Sequence, residues 1–246
     1  MTLILIAVGI FIGMLSGLFG IGGGMILIPI LLVLGFDIKV AIGISVIQMV
    51  FSSVYGSYLN YRKGLLMLGE GLFVGFGGFL GGFIGGYITP YIADTILQGL
   101  LIFVLIFALL RLIFSQKYTE ELETKRLNKM LLFMMGVMIG IFSITLGIGG
   151  SIILLPLLVG ILHYPLKKAV SIGLFFVVFS SISGFITRLS IGTIDFENGL
   201  IVALASLLGV TLGIYITTYL SEKMHKRLLM LLYSLGLFLM VTNIFF

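Results

Sequence analysis

No cysteine and no tryptophan occur in this 246-residue chain, histidine occurs twice, and charged residues make up only 9% of it. Each scarcity excludes something. Without cysteine there are no disulfides, no thiolate nucleophile and no sulfur-ligated metal. The two histidines, His163 and His225, both sit beside basic residues, and no His/Asp/Glu cluster falls inside an apolar stretch. Neither a metal, a cofactor nor a catalytic constellation is therefore expected, and the chain reads as no enzyme. A Walker-type phosphate loop is also lacking, which excludes nucleotide-driven work. The scarcity of charge decides the class. With 60% hydrophobic residues and a mean hydropathy of +1.31, no soluble fold of this length could hide its apolar surface. The net charge of +5 is concentrated at segment ends, which points to membrane orientation and not to nucleic acid.

What is present is glycine, 34 residues of it, and long apolar runs. Runs of roughly 20 residues, enough to cross the ~30 Å hydrocarbon layer, recur along the whole chain. The expected segments are 2–19, a glycine break at 20–24, a short piece 25–35, then 40–61, 66–91 and 95–114. The pattern then repeats as 130–146, a break at 147–151, 152–162, 168–188, 197–220 and 226–245. Residues 1–11 carry no Lys or Arg, so the first stretch is expected to be a retained span and not a cleaved signal.

The breaks are the most informative feature. The run from Gly13 to Ile30 recurs from Gly140 to Leu157, and one constant offset superimposes Gly20 on Gly147, Gly22 and Gly23 on Gly149 and Gly150, and Pro29 on Pro156. After a single inserted residue the register continues. It pairs Ala41 with Ala169, Ser52 and Ser53 with Ser180 and Ser181, Gly64 with Gly192, and Tyr87 with Tyr215. The predicted organisation is a first transmembrane repeat (1–114), a polar cytoplasmic linker (115–129) and a second transmembrane repeat (130–246). Basic residues give the orientation. If each break forms a hairpin that returns to its starting side, 12 of the 14 Lys and Arg share one side, leaving only Lys39 and Arg188 opposite. Loops rich in charge in one half are poor in the other, as expected of two inverted repeats with both termini outside the cytoplasm. The expected fold is an all-α polytopic protein of the cell membrane (the inner membrane where the host has two). Each inverted repeat contains a glycine-broken helix hairpin and three full spans.

A backbone irregularity survives in lipid only where protein or a polar cavity lines it, so both breaks are expected to point inward. Each ends one helix and begins another, leaving free N–H groups at Gly23, Gly24 and Met25 and at Gly150, Ser151 and Ile152. The positive end of a helix dipole favours an anion there. Gln48 is the one Gln or Asn deep within an expected span, and Ser45, Gln48 and Ser52 share its helix face at three- and four-residue spacing. In the second half Ser171 and Ser180 take related places, while Phe176 replaces Gln48. The candidate substrate-binding residues are thus Gly22, Gly23, Gly24, Ser45, Gln48, Ser52, Gly149, Gly150, Ser151 and Ser171. Ser143 and Thr145 precede the second break and are weighed as lining residues or as hydroxyls bonded back to their own helix. Gly75, Gly78, Gly82 and Gly86 read as helix packing; Arg188, on the side poor in charge, is weighed as a residue of an external mouth or, in preference, as a snorkelling interfacial arginine.

These residues resemble the TauE/SafE, or sulfite exporter, family. The resemblance rests on the G-x-G-G-G-x-x-x-x-P run at Gly20–Pro29, its echo at Gly147–Pro156, and the A-x-G-x-S run at Ala41–Ser45. The second copy of that last run has become Ala169-Val170-Ser171-Ile172-Gly173. The resemblance implies a secondary transporter, associated with export, of sulfite, organosulfonates or related small anions. Alternating access around the two breaks is the expected mechanism; a passive anion channel or a carrier of another small organic anion is the alternative. The expected partners are the small anionic substrate, the lipid bilayer and a coupling proton or other ion, and a homo-oligomer is compatible with the sequence.

Overall fold

The computed structural model describes residues 1–66, 68–114, 128–160, 162–192 and 194–245. The expected linker, with Lys117, Lys125 and Arg126, lies outside them except at its last two positions. The described chain forms α1 (Thr2–Phe19), α2 (Gly24–Val33), α3 (Ile38–Arg62), α4 (Leu68–Ile88), α5 (Asp94–Phe114), α6 (Lys129–Leu146), α7 (Ser151–Gly160), α8 (Leu166–Ile191), α9 (Phe196–Tyr219) and α10 (Glu222–Phe245). No strand occurs among the described residues. Eight of these helices are long and apolar enough to cross a membrane; α2 and α7, at 10 residues each, are not. At 1.5 Å per residue each short helix reaches about 15 Å, half the ~30 Å hydrocarbon layer.

The four prolines explain part of this division. Pro29 and Pro156 fall inside the two short helices, Pro90 lies in a 3-10 turn after α4, and Pro165 caps the start of α8. The long helices therefore keep unbroken hydrogen-bond ladders. Three of them, α3, α8 and α10, begin at least two residues earlier than hydropathy predicts, α3 with Lys39 in its first turn. Lys167 and Lys168 stand in the first turn of α8, and Lys223, Lys226 and Arg227 in the first turns of α10. A long cationic side chain reaches polar surroundings without ending its helix, so charge alone marks the boundary too late.

α3 and α8 form the centre, with 67% of each span buried, whereas α5 and α10 are peripheral at 33%. The C-terminal end of α8, at Arg188, lies against the start of α3 at Lys39, and Gly56 late in α3 meets Leu174 early in α8. The two central helices thus cross antiparallel. Around them α9 packs on α1 and α3, and α4 packs on α6 and α8. Exchanging each helix for its counterpart in the other half leaves this set of neighbours unchanged.

Glycine sets the closeness of the outer seams. Gly77, Gly81 and Gly85 of α4 each face a backbone carbonyl of α6, those of Phe133, Val137 and Ile141. Gly9, Gly13 and Gly17 of α1 face the carbonyls of Val202, Ser206 and Val210 in the same way. Lipid gives apolar side chains no reason to prefer each other, so close backbone approach at small residues supplies the association. Gly75, Gly78, Gly82 and Gly86 form a separate stripe against Phe179, Phe176, Ser183 and Thr187 of α8. Their packing role therefore stands. Replacing Gly81 by Leu should force α4 off α6 and cost about 3 kcal/mol or more. Gly99, which has nothing within 4 Å of a would-be Cβ, should accept Leu with little change. Thermal unfolding of the two purified variants in detergent compares them directly.

Candidate functional site

Backbone geometry explains the glycines of the breaks. Gly20, Gly22 and Gly23 have φ of 68°, 74° and 87°, and Gly147, Gly149 and Gly150 have 66°, 79° and 65°. Each such residue would cost roughly 1–2 kcal/mol if it carried a side chain. The fourth glycine of the first break has a different reason. Gly24 is helical, but a Cβ there would fall onto the carbonyl of Gly147 and the hydroxyl of Ser45.

The two breaks meet in the interior. A Cβ on Gly149 would lie 2.9 Å from the carbonyl oxygen of Ile21 and 3.4 Å from Cα of Gly22. Met49 fills the space between, its sulfur 2.9 Å from that position and 3.2 Å from the corresponding one on Gly22. Each break also faces the matching residue of its own half's central helix. Gly23 looks onto the Gln48 amide, with a would-be Cβ 3.0 Å from Oε1, and Gly150 looks onto the Phe176 ring, 2.6 Å from Cε1.

The candidate polar residues divide into two kinds. Ser45 and Ser52 are engaged. Ser45 donates to the carbonyl of Gly147 at 2.7 Å, tying the centre of the first half to the end of α6. Ser52 accepts from Ser16 at 3.4 Å and donates back to the Met49 carbonyl. Gln48, Ser151 and Ser171 are buried and have no hydrogen-bond partner among the described residues, and Ser143 joins them. Ser143 also borders Gly150, 3.0 Å from its would-be Cβ. Thr145 does neither of the things expected of it: it donates across the α4–α6 seam to the carbonyl of Gly85 at 3.4 Å. Ser16 was not singled out from sequence, although the repeat register pairs it with Ser143 and so carried the signal. The amides behave less uniformly than expected. Gly24, Met25, Gly150 and Ile152 find no acceptor among the described residues, but Ser151 N–H donates to the Gly149 carbonyl at 2.8 Å. The γ-turn that forms there satisfies a group expected to be free.

The departure in the second A-x-G-x-S run has a steric account. Ser45 of α3 corresponds to Gly173 of α8, and Gly24 corresponds to Ser151. In the first half the hydroxyl stands on the central helix and the break is bare; in the second half the arrangement is exchanged. A Cβ on Gly173 would lie 3.0 Å from Cβ of Ser151. Each half therefore accommodates one hydroxymethyl group at this contact.

Charge lies at the ends of the central helices. A cleft of about 130 Å³ opens between Gly17, Asn60, Leu65, Lys167, Val170, Ile214, Thr217 and Thr218. At the opposite end Arg188 does not snorkel, contrary to expectation: it is 1% exposed, held between α8 and the first turn of α3. His225 is likewise 1% exposed, its ring edge-on to Phe19 at 5.1 Å. Among the described residues there is no buried Asp or Glu and no His/Asp/Glu group suited to a metal.

The contact between Gly173 and Ser151 can be tested directly. Gly173→Ser should destabilise by about 1–3 kcal/mol through overpacking. Adding Ser151→Gly, which copies the first half's arrangement, should restore most of that loss, and a double-mutant cycle on unfolding midpoints measures the coupling.

Comparison with known proteins agrees with this architecture. The chain is 27% identical over 267 aligned positions to "Probable membrane transporter protein MJ0441" of Methanocaldococcus jannaschii, covering 97% of this chain and 95% of that one. A shorter match, 33% identical over 63 residues, joins 26% of the chain to 25% of "Probable membrane transporter protein YjnA" of Bacillus subtilis. No solved structure shows a significant match. The family model described as "Sulfite exporter TauE/SafE" matches residues 5–240. Eight membrane-length helices, two paired breaks and this near-complete match establish an integral membrane protein that belongs to the TauE/SafE family of membrane transporters.

Proposed function

We propose that the protein is a secondary transporter, working as an exporter, of a small sulfur oxyanion or organosulfonate, which binds where the two breaks meet. The observation that carries this reading is the set of unpartnered buried polar groups there: the Gln48 amide beside Gly23 and the hydroxyls of Ser143 and Ser151 beside Gly150 and Gly173. A buried polar group without a partner costs about 1–3 kcal/mol. Several kept around one point are explained by a ligand that satisfies them. The chemistry of the set favours an anion. It offers hydroxyl and amide donors and the positive ends of α2 and α7, with no buried carboxylate among the described residues to repel negative charge. The family description supports sulfite or a relative of it as the ion.

The mechanism we propose is alternating access between two inverted halves, residues 1–114 and 130–246, with both termini outside the cytoplasm. The antiparallel crossing of α3 and α8, which correspond in the two halves, supports the inverted arrangement. The difference between the ends supports the exchange of access, since a cleft opens at Asn60 while Arg188 is enclosed. Gln48 opposite Phe176 gives the site one polar and one apolar wall, which suits an ion with a charged head and an apolar or lone-pair face. Energy comes from the gradient of the substrate or of a coupling ion.

Flux of sulfite into proteoliposomes tests this reading, with and without an imposed pH gradient. The native chain should show saturable uptake, and Gly23→Leu/Gly150→Leu should abolish it. Non-saturating conduction would make the protein a channel, and absence of flux in folded protein would sink the choice of substrate. Gln48→Leu is the milder probe. It should lower kcat/KM about tenfold or more, the loss of one hydrogen bond to a charged group. Stability of the empty protein should hold, because the amide it removes has no partner to leave behind.

A further inference from the structure

The repeat register that pairs Gly64 with Gly192 also pairs Asn60 with Arg188, and Lys167 with Lys39. The cleft beside Asn60 and Lys167 thus corresponds in register to the region of Arg188 and Lys39, where Arg188 is only 1% exposed. Thr89, the counterpart of the cleft residue Thr217, is fully buried and donates to the Gly85 carbonyl at 2.7 Å. Arg188 is enclosed with it, and its charge has no counter-ion among the described residues. Nη1 donates to the Lys39 carbonyl at 3.4 Å, while Nε and Nη2 have no partner among the described residues. Lys39 is already committed, its ammonium 3.2 Å from Asp94 Oδ1 and 3.1 Å from the Pro90 carbonyl. No carboxylate lies within ion-pair distance of Arg188 among the described residues.

An unpaired guanidinium enclosed in a membrane protein is too costly to be retained as packing. Its free atoms are also the informative ones. Nε–H and Nη2–H run parallel along one edge, the fork that matches two oxygens of a carboxylate, sulfonate or phosphate. The guanidinium rests on the first turn of α3, a 25-residue helix whose N-cap, Asp37, makes no side-chain capping bond. A positive helix end and an open guanidinium edge therefore stand together. We propose that Arg188 and the start of α3 form a second oxyanion site, distinct from the helix breaks and taking one sulfonate, sulfite, carboxylate or phosphate group. Arg188 lies about 18 Å along α8 from Phe176, which faces the break, at 1.5 Å per residue. The site is a station at one end of the route, reached when that end opens.

Thermal unfolding of the full chain in detergent tests this without reference to transport. Midpoints are compared in low-salt Tris chloride and after adding sodium sulfite, methanesulfonate or acetate, against sodium chloride at equal ionic strength. The oxyanions should raise the native midpoint by several degrees over chloride, as a ligand bound only to the folded state does. Arg188→Gln should lose that Arg188-dependent rise yet be as stable as the native chain, or more so, in low salt, because it removes an uncompensated buried charge. Arg188→Lys should keep part of the rise. It also serves as the working variant if Arg188→Gln does not fold. The same rise measured in a Gln48→Leu background separates this site from the one at the breaks, so either can fail alone. Micelles containing phosphatidylglycerol in place of phosphatidylcholine, without added oxyanion, distinguish a lipid phosphate from a free ion as the bound group. Loss of stability in Arg188→Gln that is equal in every buffer, or an oxyanion rise unchanged by both Arg188 variants, would overturn the proposal.

Discussion

Peptide groups that leave a helix inside a membrane have no water to turn to, and the architecture follows from that constraint. Two breaks, each needing three residues at positive φ, interrupt the chain between a helix of membrane length and one of 10 residues. Neither can face lipid, so each must be wrapped by other helices. The central pair α3 and α8 does this, which is why those two are the most buried spans. Their small residues are placed to admit the breaks, Ser45 against Gly24 and Gly173 against Ser151. The outer helices then complete the enclosure through glycine seams that bring backbones together where lipid offers no hydrophobic drive.

The enclosure leaves a few polar atoms unsatisfied at the point where the breaks meet. Interiors do not usually tolerate this, since more than nine in ten buried polar groups have a partner. Hydroxyls with a structural task are bonded: Ser45 to the Gly147 carbonyl, Thr217 to the carbonyls of Leu18 and Gly213. Among the described residues the side chains without a hydrogen-bond partner include Gln48, Ser143 and Ser151 beside the breaks and Arg188 near one end of α8, alongside Ser57, Ser171 and His225.

Much of the fold was legible because two of its signals are local. Apolar runs of membrane length and a glycine-proline spacing repeated at constant register need no tertiary information, and they located all ten helices with small errors at their ends. Those errors came from lysines that begin helices instead of loops. The site was legible in outline for the same reason, since only a backbone at positive φ requires glycine at Gly22, Gly23, Gly149 and Gly150. The roles of its side chains were less so. Ser45 and Ser52 share a helix face with Gln48, but spacing cannot tell which of the three already has a partner. That depends on the Gly147 carbonyl and the Ser16 hydroxyl, which arrive from distant parts of the chain. Arg188 shows the same limit: at a span end, sequence cannot distinguish an arginine that reaches the interface from one enclosed by another helix.

The sequence by itself determined a membrane protein of two related halves with a glycine-broken hairpin in each, because hydropathy, the φ demands of glycine and the loss of an N–H at proline all act within a few residues. Tertiary structure alone decided which break meets which wall, which hydroxyls are occupied, and that Arg188 is enclosed without a counter-charge among the described residues. Those properties are sums over neighbours brought together from opposite halves, and no residue carries them in its own type or spacing.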